Sequence, residues 1–97
     1  MIRHISLLTF APGTTDAQID AIEQALGGLP ARLPELRSYT FGRDAGINAD
    51  QASFAVVADF DSVDGYMEYR DDPVHRGILA DLIAPVLAAR TAAQIEF

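Results

Sequence analysis

Apolar positions alternate along residues 2–10. Ile2, His4, Ser6, Leu8 and Phe10 share one face, and Ile5 and Leu7 lie on the other. A period of two predicts a strand, and apolar residues on both faces predict that both sides are covered. "APGTT" is a turn. Thr15 precedes Gln18 by the capping-box spacing, so a helix is expected to begin there. Ile19, Ile22, Leu26 and Leu29 recur on one face of that helix, and Gly27, Gly28 and Pro30 should end it. "ARLPEL" reads as a connector. "RSYTFGR" reads as a strand with Tyr39 and Phe41 on one side, and "DAGINADQ" as the polar link of a long hairpin.

"SFAVVADF" is the clearest strand: Phe54, Val56, Ala58 and Phe60 line one face, and Ala55, Val57 and Asp59 the other. Asp61 or Ser62 can cap a short helix carrying Val63, Tyr66, Met67 and Tyr69. A further helix is expected at "DDPVH", with Asp72 as its cap and Pro73 at its first position. Ile78, Leu79, Leu82, Ile83 and Val86 follow on one face, and Pro85 should kink or end the helix. "TAAQIEF" closes the chain as a strand with Ala93, Ile95 and Phe97 aligned.

The order β-α-β-β-α-β predicts a ferredoxin-like α+β fold: a four-stranded antiparallel sheet with helices on one face. Residues 1–97 suit a single domain. The second sheet face, with Ile5, Leu7 and Val57, would stay exposed in a monomer. Two such sheets packed face to face form a dimeric α+β barrel, so a homodimer through the sheet face is expected. The apolar fraction of 49% in so short a chain points the same way.

Charge and composition narrow the partners. The net charge is −7, every basic residue is arginine, and no basic cluster appears. Nucleic acid and anionic membrane are therefore not expected partners. With no cysteine, disulfides and thiolate chemistry are excluded. The first ten residues are too short and too polar for a leader or a span, so a soluble cytoplasmic protein is expected.

Two histidines are the main candidates for chemistry. His75 begins the inward stripe, with apolar residues at i+3, i+4, i+7, i+8 and i+11. In the first helical turn its ring should stay neutral, while Asp71 and Asp72 would oppose this if they approached it. A neutral imidazole beside a cavity accepts a proton or a hydrogen bond at neutral pH. The competing reading is a satisfied structural histidine. His4 shares its strand face with Leu8 and Phe10 and should point towards the helices. Tyr66 and Tyr69 are helical neighbours. The Tyr69 phenol could hold an enolate oxygen while an imidazole moves a proton, or both tyrosines could be core residues with a hydroxyl at the edge. No metal-ligand spacing and no phosphate-binding glycine loop is present.

Three stretches together resemble a known family. "MIRHISLLTFAPGTT", "ALGGLPARLPELRSYTFGRD" and "FAVVADFDSVDGYMEYRDDPVHRGILADLIAPVLA" look like the stress-responsive A/B barrel (Dabb) proteins. The resemblance covers nearly the whole chain, and the third stretch is its most specific part, with its strand-Asp-Phe-Asp-Ser segment, Tyr69, Pro73-x-His75 and the Leu-Ile-x-Pro run. It implies a ferredoxin-like subunit that dimerises into an α+β barrel. One plant branch of the family closes aromatic polyketide rings by aldol condensation without a cofactor. Its catalytic histidine and tyrosine match His75 and Tyr69, and its other pocket histidine matches His4. Departures are Asp72, where many members have histidine, and Thr9 and Ala11, where many have lysine. The resemblance thus implies a possible small apolar or aromatic ligand, with His75, Tyr69 and His4 as catalytic residues. Two other readings stand beside it: a non-catalytic stress-associated dimer, and an α+β barrel monooxygenase argued from fold alone.

Overall fold

A strand that is apolar on both faces belongs in the interior of a sheet, and β1 (Ile2–Phe10) lies there. The computed structural model describes residues 1–97. After β1 come α1 (Asp16–Gly27), α2 (Leu29–Arg32), β2 (Ser38–Arg43), β3 (Phe54–Phe60), α3 (Val63–Asp71), α4 (Pro73–Ile78) and β4 (Leu87–Glu96). The four strands form one antiparallel sheet in the order β2-β3-β1-β4. This is the expected ferredoxin-like arrangement, with the first helical crossover broken into two pieces and the second into α3, α4 and two short turns.

Each break has a local cause. Thr15 and Gln18 form the full capping box that starts α1. Pro30 does not end that helix as expected. Gly28 closes α1, and Pro30 occupies the start of the one-turn α2, where its missing N–H leaves nothing unpaired. Between α3 and α4, Asp72 is extended (φ −60°, ψ 129°), as a residue before proline prefers. Its carboxylate accepts the backbone N–H of His75 at 3.0 Å, capping α4. Arg32 of α2 donates to the same carboxylate, with a closest ion-pair distance of 2.9 Å. After α4 the backbone widens into a π turn at Leu79–Ile83 and tightens into a 3-10 turn at Ala84–Val86 containing Pro85. The helix therefore ends before the proline. β4 begins at Leu87, four residues earlier than the C-terminal alternation suggested.

The core lies between the helices and one sheet face. Phe54, Val56, Ala58 and Phe60 of β3 pack with Leu8 and Phe10 of β1, against Ile22 and Leu26 of α1. The opposite sheet face is open: Leu7 is 40% exposed, Ile95 47% and Phe97 57%. Arg3 crosses this face, gripping both oxygens of Asp59 (2.7 and 2.9 Å) while its guanidinium stacks 4.8 Å from the Phe97 ring. Asp59, expected as a polar strand-end residue, is thus half of an ion pair. No helix is long and apolar enough to cross a membrane.

Asp72 carries a testable share of this architecture. Its carboxyl is held below the usual range, first by the Arg32 guanidinium and then by the His75 N–H. A lowered folded pKa stabilises fully above the ordinary value of about 3.9 and is lost as pH falls through the folded value. Asp72→Ala should lower the melting midpoint more than Asp72→Asn, which keeps a cap acceptor. The gap between wild type and Asp72→Asn should close between pH 7 and pH 2, as followed by circular dichroism.

Candidate functional site

Side chains of α1, α3, α4, the π turn and the sheet line a cavity of about 540 Å³. That is the size range of small-molecule sites. Leu8, Leu26, Val56, Leu79, Ile83 and Leu87 supply apolar wall, and His4, Ser6, Tyr66, Tyr69, His75 and Arg90 supply polar groups. Both histidines and Tyr69, singled out from the sequence, therefore line one space. Tyr66 joins them.

His75 is held at the start of α4 by the Asp72 cap and is 7% exposed. Its Nδ1 lies 3.4 Å from the Arg70 carbonyl oxygen. A carbonyl only accepts, so Nδ1 carries the proton and Nε2 keeps its lone pair. The ring's pKa is lowered, with burial as the largest cause, while the Arg70 carbonyl and the Asp72 charge push it back up. Burial thus favours the neutral imidazole.

The Tyr69 ring lies against His75, with centroids 4.1 Å apart. Its hydroxyl is 3.0 Å from that of Tyr39. Tyr39 lies on the helix-facing side of β2, opposite Ala58. Burial raises the pKa of both phenols. The shared hydrogen bond raises Tyr39 further and draws Tyr69 back down. Either hydroxyl can donate in this contact; with Tyr39 as donor, the Tyr69 O–H is free to donate elsewhere.

His4 is set by two neighbouring strands. β1 places it opposite Ala58 on one side and Gln94 on the other. The Gln94 amide nitrogen donates to His4 Nδ1 at 2.8 Å. An amide nitrogen does not accept, so the His4 proton sits on Nε2. The two imidazoles thus have opposite tautomers: His75 offers an acceptor at Nε2, His4 a donor. Burial, then the charges of Arg90 and His75, lower the His4 pKa to about 4. Tyr66 packs over the same ring at 5.2 Å. No group of three histidine or carboxylate side chains is arranged to hold a metal.

Sequence reasoning missed Tyr39, Gln94 and Arg90 as parts of this site. The inward side of Tyr39 could be read from its parity with Phe41, but its phenol partner is 30 residues away. Gln94 meets His4 only through the β1–β4 register. Arg90 fell outside the expected strand because β4 begins early.

Residues 2–97 match the family model described as Stress responsive A/B Barrel Domain. Comparison with curated proteins finds no match. Among solved structures, a dimeric ferredoxin-like protein of unknown function from Thermobifida fusca YX is 47% identical, with a TM-score of 0.91 over 99% of this chain and 90% of that one. A dimeric protein of unknown function with a ferredoxin-like fold from Bacteroides fragilis NCTC 9343 is 20% identical, with a TM-score of 0.86 over 99% and 95% of the two chains. The hydroxynitrile lyase from Passiflora edulis is 22% identical, with a TM-score of 0.82 over 97% and 90%. The last two share the fold alone.

Titration checks the electrostatics. His4 should remain neutral at pH 5.5 by NMR, and Arg90→Gln should raise its pKa by removing a neighbouring cation. A histidine whose folded value falls from 6.5 to about 4 makes the protein less stable as pH drops through that window, because the unfolded chain binds the proton more readily. His4→Gln should flatten that decline in urea midpoints measured between pH 7 and pH 4.

Proposed function

The chain belongs to the stress-responsive A/B barrel family, and from that premise we propose that it is a cytoplasmic homodimer, one domain per subunit, that binds a small apolar or aromatic ligand and performs cofactor-independent acid–base chemistry on it. The observation that carries this reading is a cavity of about 540 Å³ that pairs an apolar wall with two buried imidazoles and a phenol.

The roles follow from the tautomers. His75 Nε2 takes a proton from a carbon beside a carbonyl group. The enolate oxygen then accepts from the Tyr69 O–H while Tyr39 donates to the Tyr69 oxygen, and His4 Nε2–H supplies a second donor. The enolate carbon attacks a second carbonyl of the same ligand, forming a C–C bond, and the new alkoxide takes the proton back from His75. This is aldol ring closure of the polyketide-cyclase type. Run in reverse, the same steps cleave a C–C bond next to a hydroxyl, which is lyase chemistry. A lyase shares this fold.

The dimer is proposed to form through the open sheet face. Ile5, Leu7, Val57 and Ile95 lie there with small neighbours such as Ala55 and Ala93, and the Thermobifida and Bacteroides neighbours are dimers. Light scattering at micromolar concentration should give a dimer for wild type and a monomer for Leu7→Arg. A wild-type monomer would remove the sheet-face interface.

Proton abstraction can be measured without knowing the ligand. Deuterium exchange at the benzylic carbon of phenylacetone, followed by NMR in heavy water, should be faster with the protein than without it. His75→Ala should slow it by about 10²–10⁴-fold, Tyr69→Phe by about a hundredfold, and Tyr39→Phe by less. Exchange with wild type no faster than with His75→Ala would leave the cavity as a binding site without turnover, as in a non-catalytic dimer.

A further inference from the structure

The chain has seven arginines against fourteen acidic residues. Five of the seven are neutralised where they stand: Arg3 by Asp59, Arg32 by Asp72, Arg37 by Asp61, Arg43 by the acids of α1, and Arg70 by Asp71. The two without a carboxylate partner are Arg76 and Arg90, and both line the cavity. In a protein of net charge −7, with acids twice as numerous as bases, two guanidiniums without a carboxylate partner lining one cavity are not explained by the fold. The one carboxylate lining the cavity, Asp71, is held on both oxygens by Arg70 (2.8 and 3.0 Å). With neutral histidines, the lining therefore carries a net two positive charges, within a chain that is otherwise acidic.

The geometry of Arg90 sharpens this. Its Nε donates to Ser6 Oγ at 3.2 Å, and Ser6 is buried in the sheet. The contact fixes the guanidinium plane and leaves both Nη groups without a partner. Ser6 and His4 are two residues apart on the same face of β1, a spacing of about 7 Å, close to the length of a substituted benzene ring. Arg76 follows His75 directly on α4 and lines the same cavity.

We propose that the cavity recognises a small aromatic carboxylate, with the carboxylate on the free Nη groups of Arg90 and on Arg76, and the ring lying towards His4, Tyr69 and His75. Planar guanidinium against planar carboxylate gives two parallel hydrogen bonds, and the adjoining apolar wall takes the ring. Arg90 is also close enough for its charge to act on His4, Tyr69 and His75. A bound carboxylate would neutralise that charge and make both imidazoles more basic. The inference rests on the cavity being the ligand site, as proposed above, and adds the charge of the ligand.

The test compares benzoate with benzamide, which has the same shape and no charge. Binding is followed by NMR shifts of residues lining the cavity. Wild type should bind benzoate about tenfold or more tightly than benzamide, as expected for charge-assisted bonds. The Arg76→Gln, Arg90→Gln double variant should lose that preference while its benzamide affinity stays within about twofold of wild type. Arg90→Lys, which keeps charge without the fork, should fall in between. Arg37→Gln, outside the cavity, should retain the full preference. Both glutamine positions are exposed in the folded chain, and circular dichroism checks that the variants fold. Equal binding of benzoate and benzamide overturns the carboxylate site and leaves the ligand cavity standing. Phenyl phosphate binding more tightly than benzoate overturns the choice of carboxylate. Shifts from neither probe overturn the ligand cavity, and the carboxylate site with it.

Discussion

Helices on one side of a sheet cover only that side. The rest of the structure follows from how β1 meets this constraint. It pairs with β3 and β4 in the interior of the sheet, and its side chains alternate between a helix-covered face and an open one. On the covered face, Leu8 and Phe10 join the core while His4 and Ser6 floor the cavity. On the open face, Ile5 and Leu7 form a surface that water covers poorly. A single strand therefore supplies the core, the cavity floor and the surface suited to a second copy.

The chemistry of the cavity depends on burial more than on charge pairs. Both histidines lose their positive charge because water is withdrawn from them, and each is then oriented by one neighbour: a backbone carbonyl for His75, an amide for His4. The two neighbours impose opposite tautomers, so one ring accepts while the other donates. The two phenols of Tyr39 and Tyr69 hold one another through a shared hydrogen bond. None of these positions relies on a charged partner inside the cavity. That leaves the arginine charge at the mouth uncompensated and able to act on whatever enters.

What the sequence made legible was local. Alternation located β1 and β3, Thr15 with Gln18 located the start of α1, and Asp72 with Pro73 located the start of α4. The stripe from His75 correctly placed its ring on the inward side. The early start of β4 was hidden because "LAAR" carries no clear alternation, and the pairing with β1 decides it. The short α2 was hidden because proline was read as a terminator where it serves as an initiator. Tyr39, Gln94 and Arg90 each depend on a partner at least 30 residues away. Spacing along a chain holds no information about register between strands, so these contacts could not be read from it.

The His4–Gln94 contact spans 90 residues, and the Ser6–Arg90 contact 84. The cavity floor thus joins the first strand to the last. Long-range pairings of this kind close the largest loops, at the greatest entropic cost. A partly folded chain, with its central hairpin and helices in place but β4 undocked, has neither the amide that sets His4 nor the guanidinium at the mouth. β4 is also an edge strand, the kind of element that frays first in native-state opening. Opening at this edge would release both histidine tautomer and anion contact in one motion, so hydrogen exchange along β4 should report the integrity of the cavity more directly than exchange anywhere in the core.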